Sequence, residues 1–238
     1  MGFDGRKGRM MSVVAFSLIP VAAVLLGSLF AVSRRPSAAF VSAMQHLAAG
    51  VVFAAAAAEI LPQVMHEASP IATFTGGALG IIVMLSLKAL EGRASGPVAM
   101  LGAVGVDILI DGLVLGLAFV AGEKAGVLLT IALTLEVLFL GLTVTTELGE
   151  TIRSKARIIA ITAGLALLLP IGAALATPVA AFSPVIIAGF LSFGLMALLY
   201  LVTEELLVEA HEKPDTPLIS AMFFIGFLGL LLIEELLG

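Results

Sequence analysis

Residues Val104–Phe119 read VGVDILIDGLVLGLAF and sit inside a longer apolar run from Val98 to Ala121. A membrane-crossing helix needs about 20 predominantly apolar residues, so this run is long enough to span a bilayer. Its only charges are Asp107 and Asp111, four residues apart. That spacing stacks two side chains on one helix face, one above the other. The rest of the chain has the same character: 238 residues, 61% hydrophobic, 12% charged, with a mean hydropathy of +1.20. Soluble domains carry about 25% charged residues. Surface-to-volume scaling leaves no soluble fold of this size able to hide so much apolar surface.

Working outward, eight such runs are found: roughly 10–32, 37–62, 71–90, 98–121, 126–148, 158–178, 184–208 and 217–236. The connecting segments are short, and no soluble domain is expected outside the bilayer, so residues 1–238 read as a single transmembrane domain. Barrel strands would alternate with period two over about ten residues. These runs do not alternate, so the fold class is an all-α polytopic membrane protein. The first run follows GRKGR and is too long for the apolar part of a signal peptide. Arg34 and Arg35 directly after it read as a stop-transfer signal.

Lys and Arg set orientation. The odd-numbered connections hold Arg34, Arg35, Lys88, Arg93, Arg153, Lys155, Arg157 and Lys213, the even-numbered ones only Lys124. Arg6, Lys7 and Arg9 at the N-terminus argue the other way. The connections outweigh them. Both termini are expected outside the cytoplasm, in a cell (inner) membrane, with the odd connections inside.

The second span ends EILPQVMHE, Glu59 to Glu67, and the seventh ends EELLVEAHE, Glu204 to Glu212. In each, a Glu precedes a His-Glu pair by seven residues. These two spans run in opposite directions. An inverted repeat of helices 1–3 and 6–8 around a central pair 4–5 would produce this echo, as in many secondary transporters with midplane substrate sites.

Glu136 lies mid-way along the fifth span, at about the depth of Asp107 and Asp111 in its antiparallel neighbour. A charged Asp at a bilayer centre costs roughly 2.5–3.5 kcal/mol on insertion scales. No Lys or Arg lies mid-span to offset three carboxylates. A bound cation, a shared proton or a water-filled cavity remains. Gly112 and Gly116, beside the aspartates, let helices approach closely. His46 and Gln45, early in the second span, read as hydrogen-bonded structure. There is no cysteine, hence no disulfide framework, thiolate site or cysteine nucleophile. Nothing points to nucleic acid.

With these residues in view, the chain resembles the ZIP (Zrt/Irt-like) family of divalent metal transporters, especially its prokaryotic branch. The fourth helix of that family carries a pattern like H-N-F-P-E/D-G-L-A-x-G, which stands here as Asp107-Ile108-Leu109-Ile110-Asp111-Gly112-Leu113-Val114-Leu115-Gly116. The fifth helix is similar through IALTLEVLFLGLT, Ile131 to Thr143. LAAGVVFAAAAAEILPQ and LLYLVTEELLVEAHE look like the second and seventh helices. The resemblance covers nearly the whole chain and implies eight helices with both termini outside. It departs at the metal site. The family's helix-4 His stands as Asp107 and the Asn as Ile108, while the acidic residue before Gly survives as Asp111. In helix 5 the Gln or His is Glu136, the following Asn or Asp is Val137, and the Glu before Gly141 is Leu140. The helix-6 Glu before Pro is Leu169 before Pro170. The prolines of helices 4 and 5 are replaced by Ile110 and Phe139.

The resemblance therefore implies one all-oxygen metal cluster of Asp107, Asp111 and Glu136. Carboxylate ligands suit manganese, magnesium and calcium, whereas imidazole suits zinc, copper and nickel, and zinc also accepts carboxylates. Zinc and manganese or iron(II) are expected as substrate on equal footing. By resemblance, Glu204, Glu209, His211 and Glu212 accept metal leaving inward. By symmetry Glu59, His66 and Glu67 meet it outside. The expected activity is a carrier that moves divalent cations into the cytoplasm. No prosthetic group is expected, no enzyme activity, and no partner beyond the ion and the lipid bilayer. A homodimer is compatible with this. Two alternatives stay open: a proton-coupled carrier of another solute, and a non-transporting ZIP-like homologue. An aspartyl intramembrane enzyme is disfavoured, because two carboxyls stacked on one helix cannot readily share a proton. H-E-x-x-H and a phosphate-binding G-x-x-x-x-G-K-[ST] are both absent.

Overall fold

The computed structural model describes residues 3–34, 36–66, 69–91, 97–212 and 216–237. Among them are eight helices long and apolar enough to cross a membrane: α1 (Met11–Ser33), α2 (Ala38–His66), α3 (Pro70–Leu90), α4 (Ala99–Ala121), α5 (Glu123–Thr151), α6 (Lys155–Ala181), α7 (Pro184–His211) and α8 (Pro217–Leu237). No strand is present among the described residues. The chain is thus a helical multi-pass membrane protein. The sequence limits agree to within a few residues. The largest single shift is at the end of α2, which runs on to His66, and α5 starts at Glu123 because only Gly122 breaks the chain between α4 and α5.

Burial separates a core from a lipid-facing shell. About 61% of the most apolar part of α2 and of α5 is buried, and 56% of α4, against 22% of α3 and 11% of α8. The peripheral helices expose Ile71, Phe74, Leu218, Phe224 and Leu232, which would be an aggregation surface in water and is ordinary against acyl chains.

Four helix pairs carry the packing: α1 with α5, α4 with α6, α2 with α8, and α3 with α7. All four are crossings with a glycine on each side, where backbone meets backbone. A Cβ on Gly27 would strike the Leu138 carbonyl, and one on Gly141 would lie 2.5 Å from the Val24 carbonyl oxygen. Gly112 faces the Leu169 backbone, and Gly172 faces Leu109 and Leu113. Gly50 faces Phe223, and Gly226 faces Leu47. In the fourth pair Gly76 lies against Gly189 itself. Without a hydrophobic force between helices in lipid, such close approach supplies the dispersion contacts that hold a bundle together. Buried hydroxyls add polar links: Thr145 donates to Ser28 at 2.8 Å and lies 3.5 Å from Thr162, joining α1, α5 and α6.

Three spans are irregular. α6 turns at Leu167, three residues before Pro170, whose missing N–H and ring disturb the preceding turn. α2 and α7 each contain a π-helical stretch, Ala56–Ile60 and Leu201–Leu206. These are the segments of the sequence echo. Such insertions into an α-helix are frequent at functional sites.

Candidate functional site

Asp107, on the side of α4 that faces α5 and α7, lines two adjoining cavities. The outer one, about 260 Å³, is walled by α3, α4, α5 and α7 and includes Lys88, Gly102, Asp107, Glu205 and Glu209. The inner one, about 40 Å³, is lined by Gln45, Asp107, Glu136, Thr143, Glu205 and Glu209 among others. They share Asp107, Leu140, Glu205 and Glu209, so they form one path. The path starts at the chain end of the bundle where α3 ends and α4 begins, and it stops at Glu136 in mid-span. A volume near 40 Å³ holds about one water or one small ion. Glu136 is 3% exposed and lines the inner cavity together with Asp107 and Glu205.

Asp111 is placed differently. It is 2% exposed and lines neither cavity. It lies one turn along α4 from Asp107. One oxygen of Asp111 and one of Glu136 are buried with no hydrogen-bond partner. Among the described residues, no three His, Asp or Glu side chains are arranged to hold a metal ion. The expected shell of Asp107, Asp111 and Glu136 is therefore not assembled in this conformation. Asp111 lines neither cavity, so it does not meet Asp107 and Glu136 there.

Glu205 takes the place expected for Glu204. Glu204 is exposed, whereas Glu205 is half-buried and faces the cavity. The π-helical insertion at Leu201–Leu206 explains the shift. One extra residue rotates the following positions by about 100° relative to regular helical register. Lys88 is a second addition. The sequence shows no basic residue in mid-span, yet Lys88, near the end of α3, lines the cavity mouth. A long Lys side chain reaches several ångströms from its own helix position. The cavity lining then holds four carboxylates, Asp107, Glu136, Glu205 and Glu209, and one amine.

Of the remaining expected ligands, Glu209 accepts a 2.7 Å hydrogen bond from Gln45 Nε2, tying α7 to α2 beside the cavities that Glu209 lines. His211 lies beside it, its ring 4.9 Å from that of His46. His211 and Glu212 line a shallow surface depression with Thr203, Leu207 and Val208. Glu59 belongs to the opposite end of the bundle. It is 7% exposed and 3.9 Å from Lys124 Nζ, which lies 3.5 Å from Glu234. This three-membered cluster links the start of α5 to α2 and α8. Lys124 is 39% exposed, so the energy of the link is modest. His66 is exposed at the end of α2, and Glu67 lies outside the described residues.

One sequence signal bears on this arrangement. Asp107 precedes Gly112 by five residues, and Glu136 precedes Gly141 by the same interval. Each central helix therefore presents a carboxylate one and a half turns before the glycine that grips its outer neighbour. A separate apolar groove of about 600 Å³, lined by Ile71, Leu79, Leu113, Val185 and Phe190 among others, faces away from the carboxylates between α3 and α7.

No protein-family model matches the chain, and no curated protein matches it either. The site has to be read from its own geometry.

Gly102 provides a direct probe of the path. It lines the outer cavity, and a Cβ there meets no atom within 4 Å. Gly102→Phe should fold normally and fill the mouth. Solute access to Asp107, followed as labelling of an Asp107→Cys variant by a water-soluble thiol reagent, is expected to fall at least about tenfold. Unchanged labelling would mean that water reaches Asp107 by another route.

Proposed function

We propose that this protein is a carrier of divalent metal cations, with a ZIP-like arrangement, and that Asp107 and Glu136 are its midplane binding groups. The single observation that carries this reading is the acidic path. A cavity open at one end of an apolar bundle runs past Glu209 and Glu205 to Asp107 and Glu136. Intramembrane carboxylates that face a cavity mark ion pathways by default, because burying them against lipid is costly. Four carboxylates against one amine favour a cation over an anion. The donors are all oxygen, a set suited to manganese and iron(II) and open to zinc.

The pairing of helices also supports the inverted repeat in this reading. Exchanging helices 1–3 with 6–8 and α4 with α5 maps the α1–α5 contact onto α6–α4, and α2–α8 onto α7–α3. It maps Glu59, in the π-helical turn of α2, onto the Glu204–Glu205 segment in that of α7. It maps Asp107 with Gly112 onto Glu136 with Gly141. In an alternating carrier the two halves exchange roles around a fixed midplane site. Here one end is open past Glu205, and the other is drawn together by Glu59, Lys124 and Glu234. With Lys and Arg concentrated in the odd connections, the open end is the cytoplasmic one and transport runs inward. The bound ion would draw Asp107, Glu136 and Glu205 together in a state not assembled here.

A second reading has its own support. Asp111 is sealed from the cavity with an unpartnered oxygen, a place that suits a proton better than a hydrated ion. In that reading the carboxylates form a relay for a proton-coupled carrier of another solute.

Uptake into proteoliposomes holding a chelating dye tests the two. Zinc, manganese, iron(II), cobalt and cadmium are supplied outside. Saturable uptake of any of them above protein-free vesicles supports the cation reading, and the ranking names the substrate. Absence of uptake for all five, with monodisperse folded protein and a pH gradient of either sign, would leave the proton relay.

A further inference from the structure

We infer that His46 and His211 form a two-imidazole transition-metal site at the inner end of the path, distinct from the midplane carboxylates. His46 is 1% exposed, near the start of α2. Its Nδ1 lies 2.9 Å from the Ser42 carbonyl oxygen. A carbonyl can only accept, so Nδ1 carries the proton and Nε2 of the neutral ring carries a lone pair. That Nε2 is buried with no hydrogen-bond partner. His211, near the end of α7, has its Nδ1 2.5 Å from the Leu207 carbonyl oxygen, which fixes the same tautomer. Metal-ligating histidines are held this way, with the second ring nitrogen donating to a carbonyl or carboxylate.

The spacing of the rings fits a shared ion. With metal–nitrogen distances of about 2.0–2.1 Å and a tetrahedral angle, two ligating imidazoles have ring centres about 5 Å apart. The observed separation is 4.9 Å, with the planes 67° apart. The two helices are also fastened to each other at this point. The Ser42 hydroxyl donates to the Ala210 carbonyl at 2.9 Å, and Gln45 donates to Glu209 at 2.7 Å. His46 is interior and His211 lies at the surface depression shared with Glu212, so the pair reaches from the bundle interior to its surface.

Two protein ligands leave the other coordination positions to water. Such a site binds weakly and releases readily, as an exit requires. Its chemistry differs from the midplane: imidazole selects copper, zinc, nickel and cobalt over magnesium and calcium. The inference extends the cation reading, and the experiment separates them.

The chain has three histidines and no cysteine, so a His66→Gln background leaves only this pair. Tag-free full-length protein in detergent is titrated with Cu²⁺ and followed by electron paramagnetic resonance. The expected spectrum shows hyperfine splitting from two imidazole nitrogens. His211→Gln, at an exposed position, should leave one nitrogen and weaken binding at least about tenfold, a floor set by the loss that even an outer-shell partner causes. His46→Gln should do the same. Asp107→Asn with Glu136→Gln should leave the two-nitrogen spectrum intact, even if those changes abolish uptake. Fewer than two nitrogens in folded protein, or a two-nitrogen spectrum that survives His211→Gln, would overturn the inference. If His46→Gln does not fold, His211→Gln decides alone.

Discussion

Asp107→Asn combined with Glu136→Gln is expected to reduce metal uptake at least about 100-fold, with no loss of folded protein. The estimate takes each lost ligand as at least as costly as an outer-shell partner, whose removal lowers metal affinity about 10–100-fold, and treats the two losses as multiplying. Amide replacements keep the shape and the hydrogen-bonding oxygen but cannot supply charge to a cation. The folded state should not suffer, because the change removes two carboxylates that share one small buried cavity. Yield and thermal stability in detergent should therefore hold or rise while transport disappears. That divergence marks binding groups and distinguishes them from packing residues, whose loss lowers both. The wild-type protein should also lose uptake as the pH is lowered, since protons and metal compete for the same carboxylate oxygens. Residual uptake by the double variant should lack that dependence. Uptake retained within threefold of the wild type would remove Asp107 and Glu136 from the path. The measurement is initial dye response in proteoliposomes at matched protein incorporation.

The two aspartates of one helix show how far the sequence reaches. That α4 spans the bilayer follows from its length and apolarity, which are properties of the chain alone. That Asp107 and Asp111 share a face follows from their spacing. Which of them lines the cavity does not follow, because it depends on how the neighbouring helices pack around α4, and that is a tertiary fact. The displacement from Glu204 to Glu205 has a local origin. A π-helical turn adds one residue, and no sequence period reports it in a run as apolar as LLYLVTEELL. Lys88 and the distant partners of Gln45 and His46 were hidden for a third reason. Each takes its role from residues far along the chain: Lys88 from the α4 and α7 carboxylates, Gln45 from Glu209, His46 from His211. The Glu59–Lys124–Glu234 link at the opposite end is of the same kind. By contrast the equal spacing of Asp107 to Gly112 and of Glu136 to Gly141 is present in the sequence and needs no fold to be seen. Its meaning becomes clear once both glycines are found at the crossings that seat the two central helices.

Gly112→Leu should destabilise the protein more than any substitution at a lipid-facing glycine. A Cβ on Gly112 would lie 2.8 Å from the Leu169 carbonyl carbon and 3.0 Å from its Cα. These are backbone atoms, which cannot swing aside as the end of a side chain can. The opposing contact is equally tight, with Gly172 facing the Leu113 nitrogen at 2.8 Å. Room for the new side chain is made only by parting α4 from α6. Overpacking of a filled core costs roughly 1–3 kcal/mol, and a clash of backbone on both sides belongs at the top of that range. Gly164→Leu is the matched control. Gly164 is exposed on α6, and a Cβ there meets nothing within 4 Å. Replacing a helical glycine gains up to about 1 kcal/mol of helix propensity, so this variant should be unchanged or slightly more stable. Thermal unfolding in one detergent, followed by loss of the monodisperse peak, compares the two. If Gly112→Leu melts with the wild type, α4 and α6 are not held by backbone contact. If it melts early while Gly164→Leu does not, the crossing is rigid, and an alternating motion must move the α4–α6 pair as one body.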